Sequence, residues 1–132
     1  MTQQTTGETL FKGIAGGSPS AYVYTPWLGA GGDTAVYGIQ INNISASCTL
    51  SWNVETKNSE ETDASATALM ASDQAETTVG VKYSKDGGGS TAALDGCKQL
   101  YRYRFATGSG YSVTEWVNFR ELAPAWQRNG SR

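Results

Sequence analysis

Between Lys98 and Leu122 the chain alternates apolar and polar residues, and that rhythm leaves little choice of fold. Tyr101, Tyr103 and Phe105 alternate with Arg102 and Arg104. On an extended strand this puts three rings on one face and the guanidinium groups on the other. A Gly/Ser cluster from Thr107 to Tyr111 follows, then a second β-prone run with Val113, Val117 and Phe119 in phase. Two such runs around a turn cluster predict a hairpin of two long strands. The same period of two recurs upstream. Cys48, Leu50, Trp52 and Val54 alternate with Thr49, Ser51, Asn53 and Glu55, and in Thr34 to Ile44 the residues Tyr37, Ile39 and Ile41 share a face. These two runs predict a second hairpin, with the Leu50 and Tyr37 sets in the core. A lone hairpin is marginal in water, but two packed face to face bury Trp52, Tyr37, Tyr103 and Phe105 between sheets.

The remaining segments fit that frame. Thr9 to Ala15 and Ala75 to Ser84 read as further strands, the latter with Thr77, Val79, Val81 and Tyr83 in phase. Ala21 to Trp27 is β-prone but contains Pro26, which confines it to an edge or ends it there. Residues 1–7 read as an extended arm, 57–74 as a surface loop or a short helix around Ala64 to Ala71, and 123–132 as a tail carrying Trp126. The expectation is a single all-β domain over residues 1–132. It is an antiparallel β-sandwich, Greek-key or jelly-roll-like, with an extended N-terminal arm and a C-terminal tail.

The net charge of −2 hides a division along the chain. Residues 1–97 hold four basic and ten acidic side chains, whereas residues 98–132 hold six basic and two acidic. The overall balance argues against a nucleic-acid binder. The opposite poles suit docking onto copies of the chain or onto an acidic surface, or else are an ordinary solvated surface. The start, Met1 to Thr6, has no basic or apolar region of an export signal, and no run approaches a membrane span. No membrane partner is therefore expected. A bridge between Cys48 and Cys97 would close a loop worth roughly 4 kcal/mol. The missing export signal favours two free, buried thiols instead.

The composition also narrows the chemistry. There is no histidine, which removes Ser-His-Asp and Cys-His catalysis and the histidine-containing metal sites. The glycine clusters at 29–32 and 87–89 match neither a P-loop nor a dinucleotide fingerprint and read as turns. Glu115 and Glu121 share a face of the last run, but a catalytic carboxylate pair is not expected there. No catalytic residue, metal site, cofactor or small-molecule ligand is predicted. The face opposite the rings is the candidate for function. Arg102 and Arg104 are expected outward, with Trp116 opposite Arg102 across the hairpin, and Arg120 and Trp126 nearby. Arginine beside tryptophan is the composition of an interface hot spot.

Gly/Ser/Thr/Ala-rich strands, the Met1-Thr2-Gln3-Gln4-Thr5-Thr6 arm, and Phe119-Arg120-Glu121-Leu122 running into a Pro-Trp tail resemble the small β-rich virion proteins of tailed bacteriophages, such as head decoration or cement proteins and tail components. The resemblance is one of style and carries over no functional residue. It implies a non-enzymatic structural subunit located in a virion and made in the host cytoplasm. Its partners would be other virion proteins and copies of itself, commonly trimers. The alternative from the residues is a carbohydrate-binding or adhesive sandwich that uses Trp27, Trp116 and Trp126 as a platform.

Overall fold

The computed structural model describes residues 10–12, 22–46, 48–87, 89–107 and 117–127. They form two antiparallel sheets. The first contains β1 (Leu10–Lys12), β11 (Val117–Trp126), β4 (Thr34–Ile44) and β8 (Gly80–Tyr83) in that order, with β9 (Leu94–Asp95) also on β4. The second contains β2 (Val23–Tyr24), β10 (Leu100–Thr107), β5 (Leu50–Lys57) and β6 (Thr67–Ala68), with β3 (Leu28–Gly29) on β10 and β7 (Gln74–Glu76) on β5. The two sheets pack face to face as a β-sandwich. Among the described residues no helix is long and apolar enough to cross a membrane.

The alternation places the core as expected. Tyr37, Ile39, Ile41, Leu50, Trp52, Val54, Tyr101, Tyr103, Phe105, Val117 and Phe119 are all buried. Rings from opposite sheets meet between the layers, with Phe105 and Phe119 centroids 4.4 Å apart and Tyr37 5.8 Å from Tyr101. Cys48 and Cys97 are buried and unbridged, as favoured. Pro26 interrupts its run as a missing donor must. β2 stops before it and β3 resumes after it, both pairing with β10.

The predicted hairpins are not formed. β10 pairs with β5 and β11 with β4, so each supposed hairpin sends one strand to each sheet. Strands buried on one face pair equally well with any neighbour of matching pattern, and alternation alone does not choose it. Residues 108–116, which include Val113, Glu115 and Trp116, lie outside the described residues, as do residues 1–7, anticipated as an arm. The run from Ala75 to Ser84 also divides: β7 joins β5 and β8 joins β4. The segment 57–74 runs mostly at the surface, with one 3-10 turn at Asp63–Ser65 and the two-residue strand β6, and no α-helix forms around Ala64 to Ala71.

The stretch anticipated as a tail is paired as far as Trp126, because β11 runs through it. Ladder partners step from Leu122↔Gly38 to Ala125↔Val36, so Ala123 and Pro124 stand opposite Tyr37 alone. This bulge shifts the inward phase by one residue. Before it Val117, Phe119 and Glu121 point inward; after it Trp126 does, packing 5.5 Å from Tyr101 and 5.8 Å from Tyr37. Gly31 makes room for the indole, since a Cβ there would lie 2.6 Å from Trp126 Cδ1. Tyr103 closes the opening in the ladder from the other sheet. Gly38 N–H donates to its hydroxyl at 3.2 Å, and the hydroxyl donates to Leu122 O at 2.9 Å.

Candidate functional site: an aromatic and arginine shelf

On the outer face of the second sheet Asn53 is fully buried and Glu55 nearly so, although both are polar. The register explains it. Arg102 stands opposite Glu55, Arg104 opposite Asn53, and Tyr24 opposite Arg104, all on the outward side. Direct and diagonal neighbours on one sheet face lie within reach of long side chains. Glu55 therefore receives both arginines, Arg102 at 2.8 Å and Arg104 at 2.9 Å. Trp116, anticipated as the partner of Arg102, lies outside the described residues, and the ladder gives that place to Glu55.

Two further carboxylates come from the acidic segment folded over this face. Asp73 accepts from Arg104 at 2.7 Å, from Asn53 Nδ2 at 2.9 Å and from Tyr22 hydroxyl at 2.8 Å. Asp63 accepts from Lys57 at 3.0 Å and from Trp27 indole N–H at 3.0 Å. Burial pushes the Asp73 carboxyl up, but the hydrogen bonds from Arg104, Asn53 and Tyr22 outweigh it and hold the group below the usual carboxylate range. The Lys57 hydrogen bond, helped by Trp27 and the charge of Arg102, lowers Asp63 likewise.

Aromatic rings roof the guanidinium groups. Arg102 Cζ lies 3.7 Å from the Tyr24 centroid and 4.4 Å from that of Trp27, and Arg104 Cζ lies 4.6 Å from Tyr22. Cation–π contact adds to the ion pairs here. The cations and carboxylates neutralise one another, so the two charge poles of the sequence meet inside one chain. What the face offers outward is aromatic: Tyr22 and Tyr24 are 38% and 39% exposed. Tyr22 and Tyr24 belong to the shelf, and the alternation at 101–105 alone does not point to them. Their signal was the Tyr-Val-Tyr alternation at 22–24, which needs the β2–β10 register before it can be placed over the arginines.

The other anticipated residues lie elsewhere. Arg120 is on the outer face of the first sheet, donating to Gln40 Oε1 from Nε at 3.1 Å and Nη2 at 2.8 Å. Trp126 is turned into the core, whereas Trp27 lies on the outside of the second sheet, so these two cannot form one sugar platform. Glu121, in phase with Val117 and Phe119, is 1% exposed between the sheets with Oε1 lacking a hydrogen-bond partner. Burial pushes its carboxyl up to about 7. A cleft of about 500 Å³ opens between the turns at 69–74 and 85–89. Leu69, Met70 and Leu94 line it, and Lys85 and Asp86 are its charged residues. Among the described residues no group of three Cys, Asp or Glu side chains is placed to hold a metal ion.

No family model matches the chain, and no curated protein or solved structure matches it.

Proposed function

We propose that this chain is a non-enzymatic structural subunit of a large assembly, a virion protein of the capsid-decoration kind, acting through protein–protein contacts. The observation that carries the reading is the shelf. Tyr22 and Tyr24 are exposed rings held over Arg104 and Arg102, which are themselves fixed by Glu55 and Asp73. Binding surfaces gain most from aromatic anchors that lose little freedom on docking. The passage of β4 to β5 and of β10 to β11 between sheets supports a Greek-key, jelly-roll-like form of the sandwich, an architecture used by capsid domains. The partners are virion proteins, and the place of action is the particle surface.

The test is co-sedimentation of the full chain with assembled capsid shells of its own particle. Wild type pellets with the shells. Tyr22→Ala combined with Tyr24→Ala keeps the far-ultraviolet circular dichroism spectrum and weakens pelleting by at least about a hundredfold, as for two hot-spot residues. A wild-type chain that stays in the supernatant overturns the proposal.

A further inference from the structure

The first sheet ends on β8, and among the described residues only β4 pairs with it. Ser84 N–H donates to Tyr37 O at 2.8 Å. By the alternation of an antiparallel ladder, Lys82 then turns its N–H and C=O toward β4, while Val81 and Tyr83 turn theirs to the open edge. The edge is apolar on its outer side. Val79, Val81 and Tyr83 are 56%, 45% and 45% exposed. Edges of this kind invite another strand unless something prevents it. The one protective feature here is Lys82, which stands opposite Ile39 and so on the inward side of the sheet. A lysine in that position fends off a strand that places a side chain against it.

We propose that β8 pairs antiparallel with β8 of a second copy of this chain, about a two-fold axis through Val81. In that register Val81 meets Val81 of the copy through its outward N–H and C=O, and Tyr83 meets Val79 of the copy. Lys82 meets Gly80, the one residue of the strand with no side chain to obstruct it. The glycine is also the residue its backbone demands, at φ +126°. No like charges face each other across the axis, and the three exposed apolar residues of each copy join into one stripe. The occupant is thus selected by the strand's own sequence. The result is one continuous sheet across the dimer, with the shelf left free on the opposite sheet of each copy, so this contact stands or falls apart from the function proposed above.

Sedimentation velocity of the full chain without shells should show a concentration-dependent monomer–dimer equilibrium. Val81→Pro removes only the outward N–H and spares the bonds to β4; it should weaken the dimer at least about tenfold. Val81→Cys tests the register. Hydrogen-bonded antiparallel partners have Cα atoms about 5.5 Å apart, within disulfide reach. Mild oxidation should therefore cross-link this variant to a dimer, while Tyr83→Cys, roughly 14 Å from its copy at about 3.4 Å per residue, stays uncross-linked. Circular dichroism checks that Val81→Pro folds; if it does not, the two cysteine variants decide. A wild type that stays monomeric, a dimer that survives in folded Val81→Pro, or cross-linking at Tyr83→Cys in place of Val81→Cys overturns the proposal.

Discussion

At the scale of single residues, Tyr103 ties the two sheets together. Its ring is fully buried, 6.0 Å from both Trp52 and Phe105, and its hydroxyl fills the gap that the β11 bulge leaves in the ladder. Gly38 N–H and Leu122 C=O depend on that oxygen. Burial also pushes its phenol well above the ordinary value, so it remains a neutral donor across the accessible pH range. Tyr103→Phe keeps the packing and orphans two backbone groups, at about 1–3 kcal/mol for each group left unsatisfied. Chemical denaturation should show a loss of about 2–4 kcal/mol with an unchanged slope. A loss below about 0.5 kcal/mol would mean that the ladder closes on itself without the hydroxyl.

At the scale of elements, β5 and β10 are joined by charge as well as by their ladder. Glu55 takes hydrogen bonds from Arg102 Nε and Arg104 Nη1 on a face where all three side chains are mostly covered. Removing one partner of a covered ion pair leaves the others uncompensated. Glu55→Gln should therefore lower stability by about 3 kcal/mol in urea denaturation. Reversing both arginines (Arg102→Glu with Arg104→Glu) sets two more carboxylates against Glu55, Asp63 and Asp73, and circular dichroism should report loss of the fold. A stable, folded double variant would show that the ion pairs contribute little. The sequence made the strands and their inner faces legible, because alternation reports directly which side of a strand is buried. It misled on pairing, since the segments nearest in sequence were matched while the chain crosses between sheets. It also misplaced Trp126, because a bulge inverts the phase and leaves no mark in composition beyond Pro124. The shelf was half visible. Arg102 and Arg104 stood out, but their partners Glu55, Asp63 and Asp73 lie 30 or more positions away and meet them only through sheet order. The acidic segment and the basic strand, read as poles for a partner, are complementary halves of one face.

At the scale of the whole molecule, two buried or half-buried acids set opposite dependences on pH. Asp73 is held below its ordinary value of 3.8. Its ionised form is favoured by folding, so it contributes stability above that value that is lost as pH falls through the lower, folded one. Glu121 is the reverse case: its value rises from 4.5 to about 7 between the sheets. The folded state then holds a proton that the unfolded chain has released. Stability is full below 4.5, declines as pH rises through that interval, and is lowest above 7. At about 1.4 kcal/mol per unit the decline is on the order of 3 kcal/mol. The free energy of unfolding should thus peak near pH 4 to 5, more acidic than is common for a globular protein. Glu121→Gln removes the titrating group from the core. Its profile should be flat between pH 5 and 7, and at pH 8 it should exceed the wild type. Urea denaturation of both proteins at intervals of one pH unit measures this directly. A wild-type curve that rises from pH 5 to pH 7, or a variant that keeps the wild-type slope, would show that Glu121 reaches solvent or a compensating charge when ionised.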